Sequence, residues 1–72
     1  MKVWLIVVEP MQGWGVPWYY VFKDGEKAVV KFEELMKEYN LEECGVNCAI
    51  SIDGNNKRHI ERISLQPEYT ED

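Results

Sequence analysis

Val3-Trp4-Leu5-Ile6-Val7-Val8 is the stretch on which the fold turns. Its six consecutive apolar residues are ended by Glu9-Pro10, too short a run for a typical helix and too uniform for a half-wet strand. A short, β-branched, non-alternating run of this kind reads as a strand whose side chains need cover on both faces. Downstream, Gly13-Trp14-Gly15-Val16-Pro17-Trp18-Tyr19-Tyr20-Val21-Phe22 carries five of the chain's nine aromatic residues. Within it, Trp18 to Lys23 reads as a second strand. The connection from Pro10 to Pro17 is eight residues long, more than the ~2–5 of most hairpin loops.

Asp24 to Asn40 has the clearest period. Ala28, Val29, Phe32, Leu35, Met36 and Tyr39 fall on one helical stripe. Asp24 is a natural N-cap, Glu26 suits the positive end of the helix dipole, and Asn40 can adopt the left-handed conformation that ends a helix. Beyond it, Val46, Cys48, Ile50 and Ile52 alternate with Asn47, Ala49, Ser51 and Asp53, the pattern of a strand with the first set buried and the second wet. Asp53-Gly54-Asn55-Asn56 is turn chemistry. Lys57 to Leu65 then returns as a partner strand, with Ile63 and Leu65 on one side, Ile60 on the other, and Pro67 as its end.

The expected architecture is α+β: one small two-layer domain in the order β-β-α-β-β, a four-stranded, mainly antiparallel sheet with one helix packed on one face. Residues 1–67 form that domain, and 68–72 read as a flexible acidic tail. Seventy-two residues lie near the lower limit for folding without disulfides, metal or a partner. A hydrophobic fraction of 46% sets the chain apart from disordered sequences.

A single helix covers one side of a sheet, and the first two strands are apolar on both sides. If Val3, Leu5, Val7, Trp18, Tyr20 and Phe22 face the helix, then Trp4, Ile6, Val8, Tyr19 and Val21 are left on the open face. The opposite choice leaves an equally apolar set outside, because a one-residue shift exchanges the faces. Surplus apolar surface of this kind is covered by a lid, a second copy or a different protein. The lid would be Met11, Trp14 and Val16 of the long connection.

Net charge is −5, with seven acids against three lysines between residues 24 and 43. An acidic chain repels phosphate, so nucleic acid is an unlikely partner and a basic protein surface a natural one. Residues 2–8 lack the form of a secretory signal, and no run reaches the ~18–20 apolar residues of a membrane helix. A cytoplasmic location, no membrane association and reduced cysteines are therefore expected.

No catalytic group, cofactor or metal is read from the residues. Cys44, Cys48 and His59 are the soft-ligand candidates, but a structural zinc site needs a fourth ligand. A redox role would favour Cys-x-x-Cys at a helix start, which is absent. Gly13 and Gly15 lack the further glycine, the lysine and the following helix of a phosphate loop. His59 and Glu61 are as well explained as alternating charges on a wet strand.

What remains is a small acidic, non-catalytic protein-binding module. Met11, Trp14, Val16, Trp18 and Tyr19 would anchor the partner, and Glu33, Glu34, Glu38, Glu42 and Glu43 would steer a basic surface toward it. An inhibitor or regulator of a nucleic-acid-processing enzyme, of the type carried by phages and mobile elements, fits that description. One alternative is a homodimer formed through an open sheet face of Trp4, Ile6, Val8 and Val21. The other is a single-strand nucleic-acid binder that stacks bases on its aromatic residues.

Overall fold

The computed structural model describes residues 1–51 and 59–69. Its elements are β1 (Lys2–Pro10), β2 (Trp18–Phe22), α1 (Gly25–Glu38), β3 (Leu41–Glu43), β4 (Cys48–Ser51) and β5 (Ile60–Tyr69). They form one antiparallel sheet in the order β2-β1-β5-β4-β3, with α1 packed on one side. The class is the expected α+β, with five strands where four were expected. The added strand, Leu41–Glu43, is three residues long and two of them are glutamates. Too short and too acidic to stand out in sequence, it forms because Leu41 is buried and its backbone pairs with β4.

The helix follows its sequence signals closely. The Asp24 carboxylate accepts a hydrogen bond from the Glu26 amide at 2.9 Å, the N-cap interaction expected of it. Asn40, at φ 53°, turns the chain into β3. Ala28, Phe32, Leu35 and Tyr39 are buried and Met36 packs beside them, while Val29 is exposed.

Which side of β1 lies under the helix is settled by burial. Ile6 and Val8 are fully buried, with Trp4 packed against the same core. Register then fixes the neighbours. Trp4, Ile6 and Val8 lie opposite Phe22, Tyr20 and Trp18 of β2, and Ile6 and Val8 opposite Leu65 and Ile63 of β5. Directly opposed residues share a face, so this set forms the core with the helix. Trp4, Ile6 and Val8, expected among the open-face residues, are therefore on the covered side. Val21 is on the open one, and Trp18, expected as a partner anchor, packs against the core.

Three further expectations are corrected. In β4 the buried residue is Ala49, which lies opposite Ile63, whereas Ile50 is exposed and Val46 is 89% exposed in the preceding loop. Pairing with β5 has overruled the polarity pattern. In β5, Ile60 joins Ile63 and Leu65 in the core although its spacing predicts the other face. The register shift between Glu9 and Pro10 places Pro10 opposite Ile60 and leaves Glu61 as an extra residue, a bulge that reverses the alternation.

Finally, β5 runs through Pro67 to Tyr69, so Glu68 and Tyr69 belong to the sheet and not to a tail. The Leu65 amide donates to the Asn47 carbonyl, toward the β4 side. Pro67, two residues on, faces the same way, past the end of β4. Among the described residues no strand lies there for its missing N–H to bond. The expected turn at Asp53-Gly54-Asn55-Asn56, with Ile52, Lys57 and Arg58, lies outside the described residues, as do residues 70–72.

Gly25 opens the helix directly against Trp4. A methyl group there would come within 2.9 Å of the Trp4 indole nitrogen, on a ring that also lies under the Lys2 ammonium, 4.5 Å from its centroid. Alanine is the better helix former by about 1 kcal/mol, yet Gly25→Ala is expected to destabilise the fold by about 1–2 kcal/mol through overpacking. Urea denaturation reads the sign, and a stabilised variant would contradict the packing described.

Candidate functional site

With one side of the sheet under the helix, the other carries Val3, Leu5 and Val7 of β1 and Tyr19 and Val21 of β2. Val7 lies opposite Tyr19 and Leu5 opposite Val21. Ile50 of β4 faces the same side, opposite Arg62. Tyr19 is 65% exposed and Val21 55%. Val3, Leu5 and Val7 are half-buried, and on this side their described neighbours are side chains of adjacent strands. Among the described residues no helix or loop covers this face.

Its polar members sit at defined places. Arg62 and Glu9 lie opposite one another and form an ion pair. That hydrogen bond holds the Glu9 carboxyl below the usual glutamate range, against the opposing effect of partial burial. Glu42 lies beside Ile50 toward the β3 edge, and Glu68 lies opposite Val3 at the far end. Arg62, Ser64, Gln66 and Glu68 line this side of the central strand β5, so the apolar residues form a patch on β1 and β2, and a polar row separates them from Ile50.

The expected anchors do not converge on this surface. Trp14 stacks on His59, ring centroids 3.6 Å apart and planes at 13°. The Met11 amide donates to the His59 carbonyl at 2.7 Å and the Trp14 amide to the Met11 carbonyl at 3.0 Å, tying the long connection to the start of β5. Trp14 remains 61% exposed and Val16 is exposed as well. The connection is thus fastened at the end of the sheet and forms no lid over Tyr19 and Val21. Of the named anchors, Tyr19 is on the open face, Trp18 packs against the core from the helix side, and Met11, Trp14 and Val16 belong to the connection.

The acids are likewise dispersed. Glu33, Glu34 and Glu38 are on the exposed surface of α1. Glu43 shares a small depression with Glu33, Val29, Phe32 and Met36 on the helix side, and Glu42 alone of the five faces the open side. A shallow groove beside Trp4 holds Asp24 and Glu26, and Asp24 is already engaged as the helix cap.

Cys44 and Cys48 are free thiols at the base of the β3–β4 loop, with sulfurs 3.6 Å apart. Cys48 lies opposite Ser64, half-buried on the open side and not in the core. Burial pushes its thiol above the ordinary range, and the neighbouring Cys44 adds to the shift. No cluster of three or more metal-ligating side chains occurs among the described residues.

Sequence reasoning left open whether Val3, Leu5 and Val7 face outward, and it expected Ile50 to be buried. Their faces follow from strand pairing, which single-strand periodicity does not contain. Among the described residues no helix is long and apolar enough to cross a membrane.

The Glu9–Arg62 pair has a defined pH signature. A depressed folded-state pKa means that its stabilisation is present above the ordinary glutamate range, near pH ~4.3, and is lost as pH falls through and below it. Both side chains are partly exposed, so Glu9→Gln is expected to cost less than about 1 kcal/mol at neutral pH. In urea titrations that difference should shrink as pH falls below the ordinary glutamate range and vanish once Glu9 is protonated in the folded chain as well. A difference unchanged at low pH would mean that charge is not its source.

Compared with known proteins, the chain matches no family model, no curated protein and no solved structure.

Proposed function

We propose that this protein is a non-catalytic binding module that docks a partner protein on the open face of its sheet. The observation that carries the reading is the uncovered apolar surface of Val3, Leu5, Val7, Tyr19 and Val21 on β1 and β2. In a domain this small, apolar surface left wet forgoes stabilisation of roughly 25 cal/mol per Å², so its retention points to a use. Tyr19 supplies the large amphipathic side chain typical of interface hot spots. Glu68 beside Val3, on a chain of net charge −5, favours a partner with basic groups next to its apolar contact. Such charges would mainly raise the association rate and select the partner. The basic surface of a nucleic-acid-processing enzyme has that chemistry, and occupying it would inhibit or regulate the enzyme.

A second reading has its own observation. Trp18–Phe22 is an edge strand with no charged residue and no proline, whereas the opposite edge carries Glu42 and Glu43. An edge without charge accepts another strand, and an edge of glutamates repels its own copy. A homodimer paired through β2 would join two open faces into one wider sheet. Stacking on nucleic acid is less favoured. His59 already occupies one face of the Trp14 ring and Arg62 is paired with Glu9.

Both readings are tested with one set of variants. Tyr19→Asp with Val21→Asp alters the open face and leaves the core untouched. Affinity capture from cells of origin, beside sedimentation velocity of the purified chain, should show partner retention weakened by about 2 kcal/mol or more, with a monomer throughout. Retention unchanged in this variant but lost in Trp14→Ala would move the site to the end of the sheet. A wild-type dimer that Tyr20→Pro, in the middle of β2, converts to monomer would support the second reading.

A further inference from the structure

The two cysteines are placed for chemistry that their spacing in sequence does not suggest. The β3–β4 register pairs Leu41 with Ser51, Glu42 with Ile50 and Glu43 with Ala49. One step further sets Cys44 opposite Cys48, and the Cys44 amide donates to the Cys48 carbonyl at 2.9 Å. Directly opposed residues joined by such a bond have Cα atoms about 5.5 Å apart, inside the ~4.4–6.8 Å that a disulfide spans. The sulfurs are already 3.6 Å apart and a bridge needs about 2.05 Å, a change that side-chain rotation can supply. Gly45 at φ 98° and Asn47 at φ 55° shape the three-residue loop between them.

We propose that Cys44 and Cys48 form a reversible dithiol–disulfide site that reacts with small-molecule disulfides. Cys44 is exposed and Cys48 half-buried, which assigns their roles. The Cys44 thiolate attacks one sulfur of the small disulfide, a mixed disulfide forms at Cys44, and the first small thiol leaves. The Cys48 thiolate then attacks the Cys44 sulfur, the internal bridge forms, and the second small thiol leaves. Two electrons pass from the cysteine pair to the small disulfide, and the two thiol protons end on the two released thiols. Proximity makes the second step intramolecular and fast despite the burial of Cys48. Only Gly45, Val46 and Asn47 separate the cysteines, so a bridge constrains the unfolded chain less than a long-range disulfide would. It is therefore a site that opens again under reducing conditions. This inference rests on the hairpin alone and stands or falls independently of what binds the open face.

The test equilibrates the reduced full-length chain in glutathione mixtures of stepped oxidised-to-reduced ratio, quenches with acid, and reads intact mass and a peptide map. The expected product is a monomer that has lost two hydrogens, with the bridge mapped to Cys44–Cys48 and reversed by excess reduced glutathione. Cys48→Ser should instead accumulate glutathione on Cys44, and Cys44→Ser should react about tenfold more slowly because its remaining thiol is partly buried. Stable glutathione on both cysteines of the wild type, disulfides between chains, or thiols that stay free across the series would each overturn the proposal. The wild-type measurement needs no variant to fold, and an unchanged far-ultraviolet circular dichroism spectrum after oxidation confirms that the reaction is local.

Discussion

One helix covers one side of a sheet, and β1 decides which side chains go beneath it. Trp4, Ile6 and Val8 occupy that position, with Ile6 and Val8 fully buried. Because side chains alternate with a period of two and neighbours pair in register, this single choice propagates outward. It places Trp18, Tyr20 and Phe22 of β2 and Ile63 and Leu65 of β5 on the helix side, and through Ile63 it draws Ala49 of β4 under the helix as well. The rest of the sheet's apolar content has nowhere to go but the other face.

That constraint accounts for the division of the surface. The open side collects Leu5, Val7, Tyr19, Val21 and Ile50, while the acids expected to act with them lie mostly on the helix. Trp14 is set apart at the end of the sheet and has a protein partner in His59. One face of its ring is therefore already covered by the protein itself. The Cys44–Cys48 pair sits on the open side beyond Ser64.

The helix and the first two strands were legible because each depends on local signals: the Ala28–Phe32–Leu35–Tyr39 stripe, the Asp24 cap, and β-branched or aromatic runs ended by proline. What escaped was non-local. Val3-Leu5-Val7 and Trp4-Ile6-Val8 are both apolar, so no pattern within β1 could choose between them. Ala49 looked wet because it alternates with Ile50, and only its pairing with Ile63 buries it. Ile60 needed a bulge at Glu61 to reach the core, Pro67 was tolerated because no strand among the described residues lies on its β4 side, and β3 was too short to have a period. The thiol pair was hidden by its own spacing, which suits a zinc pair that lacks further ligands and is not a helix-start redox motif, but equally suits two residues facing each other across a hairpin.

The central claim is that Trp4, Ile6 and Val8 lie under the helix and Leu5, Val7 and Val21 on a face the protein itself leaves uncovered. Methyl-resolved NMR of the dilute chain with a soluble paramagnetic reagent tests it most directly. The account predicts nuclear Overhauser contacts from Ile6 and Val8 to Phe32 or Leu35, with strong broadening of the Leu5, Val7 and Val21 methyls. Helix contacts from Leu5 and Val7, with Ile6 and Val8 broadened instead, would contradict it.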